Sequence, residues 1–423
     1  MNRVVVTGLG VVAPNGVGLA AFETALHRGV SGIRFSPELR ELNFACQVWG
    51  APEMNEEMLA SAMTPIQIRE SNLTMRYAAL AASECWTDAG FEFRPGNDAP
   101  PQWGTGVYFG TGVGGMETIT ERLCPLAAGG QVRRLASSTA EQVMSSNVSA
   151  LVGGMIGAGA QVSTNSSACA TGTEAVVNAY RYIRHGYADR VLAGASEGRS
   201  VFTAACFDCM RVTARGLNEH PEGASRPLSA TAAGFVPGFG AGALLLETLE
   251  SAESRGARIY AEILGGAVTC GGQRGGGSMT ASNPEGVRRC VRSAVEESGL
   301  APEQIDYING HLTATRNDVR EIETIRCAFG LPPERFPFVN ATKSLIGHAL
   351  GASGAIECVA TILQLAGGFL HPSINCEDLH PGVELIAPQI VRRPLDFSPR
   401  TALKTSFGFG DVNACVVFAK YPN

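Results

Sequence analysis

Three groups in this chain could do chemistry together: a cysteine set among small residues, and two histidines in turns. The stretch TNSSACATGTEA, residues 164–175, clears bulky side chains from both sides of Cys169. An apolar run at 160–165 feeds a turn here, and helical spacing begins at about 170. A thiol at a helix start meets the positive end of the helix dipole and free backbone N–H groups, which favour the thiolate and lower its pKa. Small neighbours leave room for a carbonyl to reach the sulfur, and the Cys169 N–H could hold the resulting oxyanion. The bland alternative is a cysteine packed as a small hydrophobe, the commonest fate of that residue.

Two further stretches tip the balance towards chemistry. NGHLTATRND, 309–318, ends an apolar strand at His311 and runs on through Thr313 and Thr315. NATKSLIGHALGASGA, 340–355, puts Lys343 and His348 in a turn before a helix that opens with small residues. Three candidate groups thus follow three strand ends, where α/β folds gather their sites. A single strand-end histidine is commonly structural. Two of them together with the cysteine make a purely structural reading hard to sustain.

Such groups need a frame to hold them. Runs at 4–12, 106–111, 160–165, 190–197, 242–247, 259–268, 305–311, 336–342 and 414–420 read as buried strands, from their β-branched residues and flanking glycines. Helical patterns fill 17–28, 72–90, 173–186, 284–299, 318–329 and 353–366. The alternation predicts an α/β protein with helices covering central sheets. AQVSTNSSACATGTEAVVNAYRYIRHG in the first half has a counterpart in FPFVNATKSLIGHALGASGAIECVATILQLAGG in the second, each a strand, a turn and a helix. The chain therefore reads as a duplication with its junction near 250–258 and no Pro- or Ser-rich linker.

Composition narrows the classes. With 423 residues, 45% of them hydrophobic and 17% charged, a large core is expected and disorder is not. The net charge of −6 offers no nucleic-acid footprint. Twelve cysteines show no metal-like pairing. Cys206 and Cys209 form a lone C-x-x-C and are expected to be core thiols. Many unframed cysteines favour a reducing cytoplasm, and the start MNRVVVTGLGVVAPNG reads as a strand and turn. The longest apolar helix, near 355–370, carries Glu357 and reads as too short to span a bilayer. The glycine-rich stretch 265–280 lacks G-K-[ST] and is expected to be a mobile active-site loop.

Cys169, H-x-T-x-T at 311–315 and K-S-x-x-G-H at 343–348, in that order, resemble the elongating Cys-His-His β-ketoacyl-acyl carrier protein synthases, within the thiolase-fold condensing enzymes. The resemblance runs from VTGLGVVAPNG to SFGFGDVNACVVF. It implies a thiolase-like α/β fold whose duplicated halves, 1–253 with the cysteine and 254–423 with both histidines, form a layered α-β-α-β-α architecture. It implies a decarboxylative Claisen condensation, with an acyl thioester on Cys169 extended by two carbons from a malonyl carrier protein. His311 and His348 would promote decarboxylation and hold the enolate. The N–H groups of Cys169 and Phe409 would hold the tetrahedral oxyanion. Lys343 would be the family's electrostatic lysine, partnered by Glu321. Thr313, Thr315, Val113 and Phe407 would contact the substrate or its phosphopantetheine arm. The expected partner is an acidic acyl carrier protein, docking on Arg133 and Arg134, with Arg69, Arg76, Arg211 and Arg215 as further candidates. A homodimer, or a heterodimer with a ketosynthase-like subunit, would form around 100–165. No cofactor, metal, nucleic acid or membrane is expected.

Departures from the family pattern stand at Leu312 and Phe239, where it has glycine and glutamate. Others stand at Arg316, in place of proline, and Asp411, in place of glycine. They point away from housekeeping fatty-acid synthesis towards a polyketide or polyene pathway, aryl polyenes included, and put loop gating at Phe239 and Asp411 in question. Two rivals remain. A chain-length-factor-like partner would lack the cysteine. A thiolase would use a second one, for which Cys415 is the only candidate near the C-terminus.

Overall fold

The computed structural model describes residues 1–96 and 98–422. Ten strands carry the architecture. The first half supplies β1 (Val4–Ala13), β2 (Thr105–Gly110), β3 (Val162–Ser163), β4 (Arg190–Glu197) and β5 (Gly240–Thr248). The second supplies β6 (Ala261–Cys270), β7 (Tyr307–Asn309), β8 (Phe338–Asn340), β9 (Thr401–Gly408) and β10 (Val412–Lys420). They form one hydrogen-bonded run in the order β3-β2-β4-β5-β1-β6-β10-β9-β7-β8, whose five-stranded halves are the first and the second sheet. Each half thus repeats one strand order, mirrored about a seam. At that seam only Val4–Val6 of β1 pair with Ala261–Ile263 of β6.

Six helices make the remaining layers: α1 (Leu73–Asp88), α2 (Asn147–Ile156), α3 (Thr171–Arg184), α4 (Pro284–Ser298), α5 (Asn317–Phe329) and α6 (Ser353–Gly367). Helices α1 and α2 cover the outer face of the first sheet, and α4, backed by α5, that of the second. Helices α3 and α6 lie between the sheets and touch both. The alternation along the strands explains this. In β5, Leu244 and Leu246 face α3 and α6, while Ala243 and Leu245 face α1. In β10, Val416 and Phe418 turn to the same central layer, while Cys415 and Val417 turn to the outer one. A period of two in a strand buried on both faces fills two cores at once. Burying each of these leucines or phenylalanines contributes about 1.5–3 kcal/mol.

The α-β-α-β-α order is therefore the thiolase-like one expected. Three local expectations are corrected. The run at 160–165 is strand only over Val162–Ser163. The glycine-rich stretch is half strand, since β6 extends to Cys270 and only the residues beyond it form a loop. Residues 350–367 are, by length and composition alone, long and apolar enough to cross a membrane, but 89% of that stretch is buried inside the protein, as a helix flanked by two sheets must be.

Candidate active site

The two central helices begin alike. A 3-10 turn, Ala168–Ala170, leads into α3, and another, Leu350–Ala352, leads into α6. Both turns are entered through a left-handed non-glycine residue, Ala168 at φ 48° and Leu350 at φ 50°. Such a conformation costs about 1–3 kcal/mol and persists where surrounding structure enforces it. The turns place Cys169 and His348 against each other across the pseudo-symmetric junction. The small residues around Cys169 gain a physical reason here. A Cβ on Gly172 would lie 2.3 Å from the Ala355 backbone nitrogen, and one on Gly354 would lie 2.5 Å from that of Thr173. Bulk is excluded because two helix starts meet backbone to backbone, and substrate access is only part of the cause.

Cys169 Sγ lies 3.1 Å from His348 Nε2. The ring's other nitrogen, Nδ1, accepts from the Leu350 N–H at 3.2 Å and faces Ser353 Oγ at 2.8 Å. A backbone N–H can only donate, so Nδ1 holds the lone pair and Nε2 carries the proton. His311 is fixed in the same sense: its Nδ1 is 3.3 Å from Lys343 Nζ, and an ammonium has no lone pair to offer. The two rings meet edge to face at 5.4 Å. The sulfur and one nitrogen from each ring all lie within 4.8 Å of one another. The backbone N–H groups of Cys169 and Phe409 lie close enough to the sulfur to favour its charged form.

Electrostatics decide the resting state. Burial, reinforced by Lys343, holds both histidines well below the ordinary imidazole value, so they are neutral at pH 7. Burial likewise pushes the Cys169 thiol up, to about 11, against the pull of Lys343 and of the two backbone N–H groups. This corrects the expectation of a lowered thiol pKa: a helix start helps the thiolate, but desolvation wins. Cys169 therefore rests as a thiol hydrogen-bonded to His348.

Lys343 does not pair with Glu321, contrary to expectation. It pairs with Glu357 at 2.5 Å, and Lys404 reaches the other oxygen of that carboxylate at 2.9 Å. Glu321 instead accepts from the backbone N–H groups of His311 and Leu312, at 2.7 and 2.9 Å, and so holds the histidine's main chain. Asp318 does the same for the threonine loop. It accepts from Thr313 at 2.8 Å, Ala314 at 3.1 Å and Leu228 at 3.0 Å. Burial raises its pKa despite those bonds. An acid three residues beyond the motif, at the start of α5, was the available signal for it.

A cavity of about 320 Å³ opens onto Cys169, His311 and His348. Phe207, Phe235, Phe407 and Phe409 give it aromatic walls, and Thr313 and Thr315 line it as expected. The β-ketoacyl synthase N-terminal domain matches residues 1–252, and the β-ketoacyl synthase C-terminal domain matches 260–377.

The chain belongs to the β-ketoacyl synthase family.

The synthase is 34% identical to 3-oxoacyl-[acyl-carrier-protein] synthase 1 of Buchnera aphidicola, over 100% of both chains. It superposes on the ishigamide ketosynthase/chain length factor with a TM-score of 0.88 at 28% identity, covering 100% of both chains. It also matches a type II polyketide synthase acyl carrier protein complex, in which the ketosynthase is bound to the hexaketide. There the TM-score is 0.87 at 30% identity, again covering 100% of both chains. The synthase is thus an acyltransferase of the condensing class.

Other expected residues fall as follows. Val113 does not line this cavity; its N–H donates to the buried Glu197 at 3.2 Å. Glu197 also accepts from Gly112 at 2.9 Å and Gly351 at 3.1 Å, tying the turn after β2 to the turn after His348. Arg133 and Arg134 are exposed on a short 3-10 turn. Arg69 is exposed and pairs with Glu70 at 3.2 Å. Arg76 is partly buried, donating to Ile68 O at 2.8 Å. Arg211, at φ 59°, follows the cavity residue Met210, and Arg215 reaches Asp208 O at 3.4 Å. Cys206 and Cys209 are exposed, not core thiols, because their short helix Val201–Cys209 buries only Thr203 and Ala204. Cys415 is fully buried within β10 and cannot meet a substrate. Among the departures, Phe239 is a core residue, set edge-on to Trp49 at 6.0 Å. Leu312 is buried at φ 20°, and Arg316 precedes α5. Asp411, at φ 63°, accepts from Gln273 at 3.0 Å and Asn283 at 2.7 Å, fastening the loop after β6 beside Phe409.

Proposed function

We propose that the synthase runs a decarboxylative condensation in which Cys169 carries the growing chain. The observation that carries this is the pair of imidazole Nε2–H donors, on His311 and His348, converging with Cys169 at the head of one cavity. Cys169 attacks the thioester of an acyl carrier protein; the carrier thiol leaves with the proton, and the acyl group stays on sulfur. A malonyl carrier protein then enters. Its carboxylate leaves as carbon dioxide, and the electron pair of the broken C–C bond becomes an enolate. The two Nε2–H groups hold the enolate oxygen, an interaction that strengthens as charge develops. The carbanion attacks the acyl carbonyl, whose oxygen is received by the N–H groups of Cys169 and Phe409. Collapse breaks the C–S bond and expels the Cys169 thiolate, which takes up a proton from solvent, leaving a β-ketoacyl chain two carbons longer on the carrier.

The same three groups have the spacing of a metal site, but each histidine offers a proton where a cation would need a lone pair. We therefore read the reaction as one without a metal or other resident cofactor, its phosphopantetheine arriving on the substrate. The aromatic walls suit a flat, stiff acyl chain. Together with the departures at Leu312, Phe239 and Asp411, they favour a polyketide or polyene pathway, aryl polyenes among them, over primary fatty-acid synthesis. The edge strand β3, with Val162 exposed, is the natural pairing edge for a second ketosynthase-like subunit, in a homodimer or a heterodimer. Free cysteines throughout suit a cytoplasmic setting.

The test is acylation followed by intact-mass and peptide mapping after incubation with an acyl carrier protein thioester. Acyl transfer to Cys169 is expected, and Cys169→Gln should lose condensation while keeping malonyl decarboxylation, since a neutral amide mimics the acylated thiol. Carrier-dependent acylation at the exposed Cys206 or Cys209 in place of Cys169 would refute the assignment.

A further inference from the structure

Lys404 is a buried charge that none of these steps touches. It sits in the interior of β9 with none of its surface exposed, as does Glu357 opposite it on α6. One Glu357 oxygen takes Lys343 at 2.5 Å and the other takes Lys404 at 2.9 Å. The hydrogen bonds of Lys404 go elsewhere, to Thr405 O and, at 3.1 Å, to Ser406 Oγ. Ser406 Oγ in turn meets Thr173 Oγ1, in the first turn of α3 beside Cys169, at 2.8 Å. Two lysines therefore share one carboxylate in the dry centre of the protein, and burial lowers the pKa of Lys343, with Glu357 opposing and Lys404 reinforcing that shift. The next acid is Glu321, whose oxygens are taken up by the His311 and Leu312 N–H groups and by Thr405 Oγ1 at 3.2 Å. Burial pushes Glu321 up to about 7, so it is a partial counter-charge only. The other titratable groups facing this cluster are His311, His348, His371, Tyr307 and the thiols of Cys169, Cys358 and Cys415.

We propose that Lys404 is a positioning residue for the condensation: by taking the second oxygen of Glu357 it aims Lys343 at His311, and its unmatched charge sets a positive potential behind His311, His348 and Cys169. The inference rests on the condensing role of Cys169 given above. Three consequences make it physical. First, positive charge behind the two rings opposes their protonation, so they remain donors of a single N–H in mild acid; Lys343 and Lys404 both act in that direction on both rings. Second, enolate and thiolate charge develops towards a fixed field in a medium that screens little. Third, a buried charge in excess is costly, so the arrangement trades stability for that field.

The experiment compares wild type with Lys404→Met, an unbranched side chain of similar length, which leaves Lys343 and Glu357 as a matched pair. Melting temperature, condensation kcat and KM, the acid limb of malonyl-carrier decarboxylation and the pH dependence of Cys169 alkylation by iodoacetamide are measured. The variant should melt at the same temperature or higher. Its acid limb should move up by about one pH unit, its alkylation midpoint should also rise, and kcat should fall about 10–100-fold with KM little changed. Lys404→Gln should move both profiles the same way and serves if the methionine variant does not fold. Lys404→Arg, which keeps the charge, should leave the acid limb in place. A fall in kcat with both pH profiles unmoved would make Lys404 merely structural and overturn the proposal, as would unchanged kcat. Wild-type protein that neither acylates Cys169 nor decarboxylates malonyl carrier protein overturns the functional reading as well; wild type that does both, beside unmoved Lys404→Met profiles, overturns the role of Lys404 alone.

Discussion

Gly408 ends β9 with its α-carbon pressed against the nucleophile's turn. A Cβ placed there would sit 2.5 Å from Ser167 O, 3.1 Å from Ala170 N and 3.2 Å from Cys169 N. The first contact is about 0.9 Å short of ordinary van der Waals distance, which begins at 3.4 Å. All three neighbours are backbone atoms, so no side chain can swing aside. In Gly408→Ala the Phe409 N–H must therefore separate from the Cys169 N–H by most of an ångström. Displacements of that size in a preorganised site cost about 100-fold, and loss of one oxyanion donor costs about 100–1,000-fold in kcat. The overpacking itself should destabilise by about 1–3 kcal/mol. Steady-state condensation with carrier-bound substrates, beside thermal melts, checks both numbers. Gly330→Ala is the control: Gly330 caps the far end of α5 at φ 66° with nothing within 4 Å of its missing Cβ, so it should lose stability without losing kcat. Gly408→Ala with a condensation kcat within about threefold of wild type would refute the claim that these two N–H groups form the oxyanion site.

Glu197 gives a pH test. Burial raises its folded pKa from 4.5 to about 7. The folded state therefore holds a proton that the unfolded chain releases, so this group's contribution is full below pH 4.5 and is lost as pH rises through 7. Melts of Glu197→Gln and wild type should diverge between pH 5 and 8 in favour of the variant, by up to about 3 kcal/mol, and parallel curves would contradict the shift. For carrier recognition, replacing Arg133 and Arg134 by glutamate should raise KM for carrier-bound substrates about tenfold at low salt, without changing small-reagent alkylation of Cys169. An unaltered KM would move the docking face to Arg69, Arg211 or Arg215.

The sequence was legible where pattern and burial agree. β1, β4 and β5 are continuous apolar runs because both faces are covered, and the ends of α3 and α6 were marked by their turns. β9 escaped notice because TALKTSFG carries a lysine, threonines and a serine through the fully buried middle of a sheet. Only the tertiary partners Glu357 and Thr173 make that tolerable, and neither is adjacent in sequence. α2 was missed for a similar reason, as Gly153 and Gly154 weaken its helical signal. The nucleophile and both histidines were readable from their motifs. The lysine's partner was not, because Glu357 lies on α6, among residues that read as pure core.

The seam between the sheets has a consequence for how activity arises. Only three residue pairs join β1 to β6, so the halves are held together chiefly through α3 and α6. Cys169 stands at the head of one of these helices and His348 in the turn before the other, so neither half owns a working site. If the strands of each half pair before the central helices dock, the nucleophile is in place yet inert until they do. Catalytic competence then appears at a later event, the docking of two helix ends across a long sequence separation. On a refolding time course it would trail the recovery of secondary structure, making turnover a clock for that last assembly step.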